Sequence, residues 1–286
     1  MDTVRHGLRP GGDVLAGAQR PVVRRPRRQL PRPGRRLPPA HRTGADRRLP
    51  AAPGRRGGDL GCGKGAFLLK AAAAVGRTGR VVGIDISPVM VAAAVRAAEQ
   101  ASLHHVEVVV GDAQTPDLPA AAFDLVASSV VLSFLPDPPA AVRSWRRLLA
   151  PGGRLAVSTF GPQDDVWRAI DGLFDPYPPA DLLDARASGR RGPFGSDQGM
   201  ADLVAGAGFD DVRTVTVDSP VHFADADHWH TFSLSTGQRA MWQLVPESER
   251  AALRRRAEGL LADASGPSGG HVLRQRVRYT VGAGPA

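Results

Sequence analysis

The sequence predicts an α/β domain with a mostly parallel sheet, and three observations carry that prediction. From Asp59 onward, short β-branched runs alternate with Ala/Leu-rich runs of helical period. The first junction is a glycine loop, "DLGCGKG" at 59–65, where a strand hands over to a helix. The next two β-branched runs each lead into an acid, Asp85 and Asp112, at the end of a parallel sheet where ligands bind.

Taken in order, Ala66 to Ala74 reads as the helix after the loop, and "RVVGID" at 80–85 as a strand. Pro88 opens a helix running to about Gln100, where its missing N–H costs nothing. "VEVVV" (106–110) and "FDLVASSVVL" (123–132) are strands; Pro138 or Pro139 opens a helix through Trp145 and Leu149, "PGG" at 151–153 turns the chain, and Arg154 to Phe160 is a further strand. "SDQGMADLVAGAGF" (196–209) reads as a capped helix, "DVRTVTVDS" (211–219) as a strand, and 246–264 as an amphipathic helix. "HVLRQRVRYTV" (271–281) alternates as an antiparallel edge strand does.

The first 58 residues do not fit this pattern. Residues 1–57 hold 15 Arg, no Lys and three Asp, with Pro and Gly dense enough to break helix and strand alike. The remaining chain carries 22 basic and 25 acidic residues, so the formal net charge of +9 resides in the head. The Arg-Arg-Gly-Gly before Asp59 reads as unable to form the buried strand from which such a loop hangs. Two expectations follow for 1–58: a disordered basic arm, or a segment translated out of frame. The codons GGC GAC GTG for Gly-Asp-Val, read in a shifted frame, give Arg-Arg-Gly. Residues 59–160 are expected to form the cofactor-binding core, and 161–286 the rest of the same domain with lid insertions and the last two strands.

A single cysteine, Cys62, excludes a disulfide framework and a multi-Cys zinc site, and no metal is expected. The chain has no apolar run long enough to span a bilayer and its N-terminus lacks a signal peptide's apolar core, which predicts a cytoplasmic protein with no membrane partner.

The loop glycines 61, 63 and 65 allow a tight turn and a close ligand approach, and Asp85, twenty residues past Gly65, is placed to accept from ribose hydroxyls. The acid Asp59 before the loop and "GDA" at 111–113 favour S-adenosylmethionine over a dinucleotide, which uses G-x-G-x-x-G and a pyrophosphate at a helix N-terminus.

In "DLGCGKG", "VVGIDIS", "VVVGDA", "FDLVASSVVL", "FLPD" and "LAPGGRLAVSTF", residues 59 to 160 resemble the class I S-adenosylmethionine-dependent methyltransferases, in particular the group with the ubiquinone/menaquinone C-methyltransferases and many bacterial small-molecule enzymes. The resemblance implies a Rossmann-like fold with a seven-stranded, mostly parallel sheet, an antiparallel last strand and a helical substrate lid. It implies a cofactor site of Asp59, Gly61, Cys62, Gly63 and Gly65 at the loop, Asp85 and Ile86 at the ribose, Asp112 and Ala113 at the adenine, and Ser128 or Ser129 at the methionine end. Family members often carry a His where this chain has Ser133 or Phe134, so no base is expected from that position.

Several residues have competing readings. Cys62 lies between loop glycines with no adjacent base, which favours a structural role over a nucleophile. Lys64 lacks the spacing of a phosphate-binding loop. Asp137-Pro138-Pro139 is similar to the catalytic motif of amino-methylating nucleic-acid enzymes, but Ala140 replaces its aromatic residue, so it reads as a helix entry. In "DADHWHTFSLSTGQRAMW" (225–242), Trp229, Phe232, Ser235 and Trp242 are expected in the substrate lid, with His228 or His230 as candidate general bases; the alternative is a surface helix with its aromatics in the core.

The expected function is methyl transfer to a small molecule. The Ala, Arg, Gly and Pro bias with only two Lys suggests a GC-rich genome such as an actinomycete's. The chain's size and lid resemble methyltransferases that tailor aromatic polyketides there, among them the aklanonic acid carboxyl methyltransferases. That resemblance implies carboxyl O-methylation in antibiotic biosynthesis. The alternatives are a C-methyltransferase of quinone or sterol type, a methyltransferase tethered to nucleic acid by the basic head, and an idle cofactor-binding scaffold. The arm has almost no aromatics to stack on bases, which disfavours nucleic acid.

Overall fold

The computed structural model describes residues 53–178, 192–266 and 269–284. The first 52 residues, on which most of the head reading falls, lie outside the described residues.

Seven strands make one sheet in the order β3-β2-β1-β4-β5-β7-β6. They are β1 (Arg56–Leu60), β2 (Arg80–Asp85), β3 (Val106–Val110), β4 (Phe123–Ser129), β5 (Leu149–Gln163), β6 (Asp210–Phe223) and β7 (His271–Ala283). β1 to β5 pair in parallel, and β7 runs antiparallel to both β5 and β6. The parallel strands are joined by helices α1 (Leu68–Val75), α2 (Pro88–Gln100) and α3 (Pro138–Arg146). α2 and α3 begin as their sequence dictates: the Ser87 hydroxyl accepts from Met90 N, the Asp137 carboxylate accepts from Ala140 N, and proline follows each cap. Asp137-Pro138-Pro139 is thus a helix entry.

The fold corrects two expectations. Arg56–Leu60 is a strand, and it occupies the centre of the sheet between β2 and β4. Its arginines are not buried: Arg55 and Arg56 stand exposed at the strand's mouth against Asp124 of β4, which accepts from Arg55 Nη1 at 3.0 Å and Arg56 N at 2.8 Å. Partial burial pushes the Asp124 carboxyl up, but the Arg56 N–H and the Arg55 guanidinium outweigh it and hold it below its ordinary value. Of the residues before Asp59, only Gly57 and Gly58 enter the interior, and the sheet's backbone pairing satisfies them without side chains. β7, in turn, is an inner strand: β6 takes the edge and β7 lies between it and β5.

One core cluster packs α3 and the helix Asp197–Gly206 on one sheet face, around Leu60, Val126, Trp145, Leu155 and Met200. On the other face α1 and α2 cover Val81, and a small apolar group of Leu125, Ala127 and Ala156 lies beside it. A further cluster joins α4 (Asp165–Gly172) and the helices Ala226–Ser233, Gln238–Leu244 and Glu247–Leu261 to Val221, Phe223 and Leu273. Those last residues lie where β6 ends and β7 begins, past the β5–β7 pair Gln163 and Gln275. The helical lid therefore sits at the carboxyl end of the parallel strands, the end on which the glycine loop opens. Among the described residues, no helix is long and apolar enough to cross a membrane.

Candidate active site

β1 ends in the loop because three glycines follow Asp59 at alternate positions, and Gly61, Gly63 and Gly65 all have positive φ, at 76°, 54° and 89°. Gly61 is constrained twice. A Cβ there would stand 2.5 Å from a methyl of Val131, so the segment after β4 closes directly on the loop. The N–H groups of Gly61 and Cys62 both donate to the Ile84 carbonyl at 2.8 Å, which ties the loop to the end of β2.

Asp85 ends β2 and holds the rim in place. One carboxylate oxygen accepts from Gly63 N at 2.8 Å and the other from Ser87 N at 2.9 Å. Beyond it Ile86 is 75% exposed, an apolar surface beside the acid. After β3, Asp112 is exposed and accepts from Gln114 N at 2.8 Å, while Ala113 is buried and its carbonyl accepts from Trp145 Nε1 at 2.7 Å. The three strand ends thus align the expected loop, ribose and adenine residues along one edge of the sheet.

Asp59 is 1% exposed, and neither of its oxygens has a hydrogen-bond partner among the described residues. Burial pushes its carboxyl up to about 7; the nearby Leu68 N–H, which does not reach hydrogen-bond geometry, pulls the other way, and Asp85 adds a smaller push. A buried acid without a partner is costly, and a cation placed beside it would relieve that cost. Cys62 is buried too, with Gly83 leaving room for its sulfur: a Cβ at Gly83 would stand 3.0 Å from Sγ. Burial, then the charges of Asp59 and Asp85, push its thiol up to about 12, so it is a packing residue and not a nucleophile.

At β4 the two serines diverge. Ser128 is buried and donates to the Leu60 carbonyl at 2.8 Å, which spends its hydroxyl on the fold. Ser129 is exposed, and its Oγ lies 3.1 Å from that of Ser158 in β5. The next residue, Val130, has φ 58°, a strained conformation for a β-branched side chain. A 3-10 turn, Leu132–Phe134, follows and leaves Phe134 77% exposed.

The lid residues fall into two groups. Trp229 and Trp242 are buried in the lid's own core, their ring centroids 6.4 Å apart, and Trp242 Nε1 donates to Ser233 Oγ at 2.8 Å. The lid helices need an apolar interior of their own, and these two rings supply it, as the alternative reading of this segment has it. Phe232 is half-buried against Phe223, and Ser235 is exposed. His228 Nδ1 accepts from Ala224 N at 3.2 Å. His230 meets the Trp242 ring edge-on at 5.0 Å, and burial, then Arg254, lowers its pKa against Asp227 and Glu258. The recorded contacts of both histidines lie within the lid and its flanking strand end.

Sequence reasoning gave no role to Val131 or Ser158. Val131 had no signal, since its contact with Gly61 depends on the turn at Val130. A cleft of about 440 Å³ lined by Pro162, Asp197, Thr216, Asp218, Arg276 and Arg278 contains no loop residue. Its charges are spent on one another, Arg276 on Asp218 at 3.0 Å and Arg278 on Asp197 at 2.8 Å.

Residues 58–157 match the family described as "Methyltransferase domain". The chain is 35% identical over 211 residues to nocamycin O-methyltransferase of Saccharothrix syringae, covering 68% of this chain and 73% of that one. It is 42% identical over 121 residues to aklanonic acid methyltransferase of Streptomyces sp. strain C5, covering 42% of this chain and 52% of that one, so it spans about half of that relative. Among solved structures, the YcgJ protein of Bacillus subtilis aligns with a TM-score of 0.51 at 15% identity, over 82% of this chain and 94% of that one, which shows the fold.

Proposed function

The chain belongs to the class I S-adenosylmethionine-dependent methyltransferases, and on that footing we propose that its acceptor is a carboxyl group on an aromatic polyketide intermediate of antibiotic biosynthesis. The residues present fit the cofactor. The partnerless Asp59 carboxylate suits its ammonium group, the glycine loop a close approach, Asp85 and Ile86 the ribose, and Asp112 with Ala113 the adenine. S-adenosylmethionine supplies a methyl group already activated for in-line displacement.

The observation that carries the acceptor reading is the kind of side chain at the strand ends. β4 and β5 present the Ser129 and Ser158 hydroxyls there, the Asp59 carboxylate is assigned to the cofactor's ammonium group, and the Cys62 thiol stays protonated. None of these is an exposed base. An acceptor that arrives ionised needs none, and a carboxylate meets that condition at neutral pH. The task left to this chain is to align the acceptor oxygen and keep water out. One relative's name specifies O-methylation and the other's an acid as substrate, which supports the same reading.

The runner-up, a C-methyltransferase, would require a base to ionise a carbon acid, and His228 and His230 are the candidates for it. We place the enzyme in the cytoplasm, acting on a small molecule without a nucleic-acid partner. Turnover of S-adenosylmethionine with paired substrates, an aromatic polyketide acid and its phenolic or quinone counterpart lacking the carboxyl, tests the reading. A base-labile methyl ester is the expected product; methylation only at carbon or phenol oxygen overturns it.

A further inference from the structure

The Ser129–Ser158 pair has no role in folding comparable to that of Ser128, and its position is specific. Asp59 of β1 pairs with Ala127 of β4, so Ser129, two residues on, stands level with the first loop glycine. Ser129 pairs in turn with Ser158 in the register of β4 and β5. Side chains alternate along a strand, so both serines share the face of Ala127 and Ala156, which form one apolar group with Phe67 after the glycine loop. Phe160, two residues past Ser158, is on the same face and 48% exposed.

The backbone leaves the sheet immediately after Ser129. Val130 turns there with φ 58° and donates its N–H to the Ser158 carbonyl at 2.9 Å, and Val131 then closes on Gly61. A β-branched residue keeps such a conformation only where its surroundings hold it. Here it ends β4 at the serine and keeps the hydroxyl pair at the open end of the sheet.

We propose that the Ser129–Ser158 hydroxyl pair binds the acceptor carboxylate and that Phe160 takes the attached aromatic ring, an assignment that rests on the carboxylate reading above. Within the pair one hydroxyl donates to the other, and the second O–H is left to donate outward. A neutral donor orients a carboxylate without neutralising it. A lysine or arginine would bind the same group more tightly but would withdraw charge from the oxygen that must attack. The phenyl ring of Phe160 offers an exposed planar apolar face two residues along the strand from Ser158, on the same side of the sheet.

The test uses the full chain with S-adenosylhomocysteine and two probes, anthraquinone-2-carboxylate and anthraquinone-2-carboxamide, with binding read by calorimetry. Wild type is expected to prefer the carboxylate. Ser129→Ala, which removes the exposed hydroxyl, should weaken carboxylate binding about tenfold, the loss of one hydrogen bond to a charged group, and amide binding less, since a neutral amide oxygen accepts a weaker bond; Ser158→Ala, which removes only the hydroxyl that orients Ser129, should have a smaller effect on the carboxylate. Ser129→Thr, which keeps a hydroxyl, should retain part of it, and Phe160→Ala should weaken both probes. Equal wild-type affinity for the two probes, or an unchanged preference in Ser129→Ala, overturns the proposal. Methyl transfer separates the two readings. Ester formation at wild-type kcat/KM by Ser158→Ala and Ser129→Ala removes the serines and leaves carboxyl methylation standing; wild-type methylation at phenol or carbon alone removes both.

Discussion

Replacing Asp59 by asparagine separates what the carboxylate costs the fold from what it contributes to binding. Its folded pKa, about 7, lies above the ordinary 3.8, so the folded state keeps a proton that the unfolded state has lost over that interval. Stability of the unliganded protein therefore falls as pH rises from about 4 through 7. Asp59→Asn should flatten that dependence and raise the melting temperature at pH 8, while lowering S-adenosylmethionine affinity by about tenfold or more through loss of a charge-assisted contact. Thermal unfolding at pH 5.5 and 8 with a binding titration reads both; a variant less stable than wild type at pH 8 would contradict the account. The loop glycines, Asp85 and Asp112 were legible in the sequence because the chain itself spaces them. Ser158 was not, because its meaning depends on which residue of β4 it faces.

Between elements, β1 is where local rules and tertiary context disagree most. Arg-Gly-Gly has little strand preference, yet two flanking strands supply every backbone partner and Asp124 receives the arginines at the surface. The glycines leave space unused: a Cβ on Gly58 would meet the Phe123 ring at 3.5 Å and one on Gly57 the Val81 methyls at 3.7 Å, both ordinary contacts. Neither has positive φ. Gly58→Ala should accordingly raise stability by about 0.5–1 kcal/mol, chiefly by restricting the unfolded chain. Denaturant unfolding checks it, and a destabilised variant would mean the strand needs glycine. β2, β3 and α2 have their expected bounds because periodicity and caps are local. The strand expected to reach Leu132 stops at Ser129, since Val130 turns to close the segment on the loop.

For the whole molecule, the open question is the head, whose 15 arginines set the sign of the net charge. If it is read out of frame, an alternative frame of the coding DNA upstream of Asp59 will encode an amphipathic helix and an apolar approach to the loop. Sequencing that region decides it, and failure of both frames leaves a true basic arm, whose oligonucleotide binding would then fall steeply with salt. β2, β3, α2, the glycine loop, the acids and the family were determined by the sequence alone, because periodicity, caps and loop spacing act within a few residues. Only the tertiary structure decided that Arg56–Leu60 is the central strand, that β7 lies inside the sheet, that the lid tryptophans form a core, and that Ser129 meets Ser158. Each of those depends on a partner distant in the chain, and the energy of burial and pairing is settled only when that partner arrives.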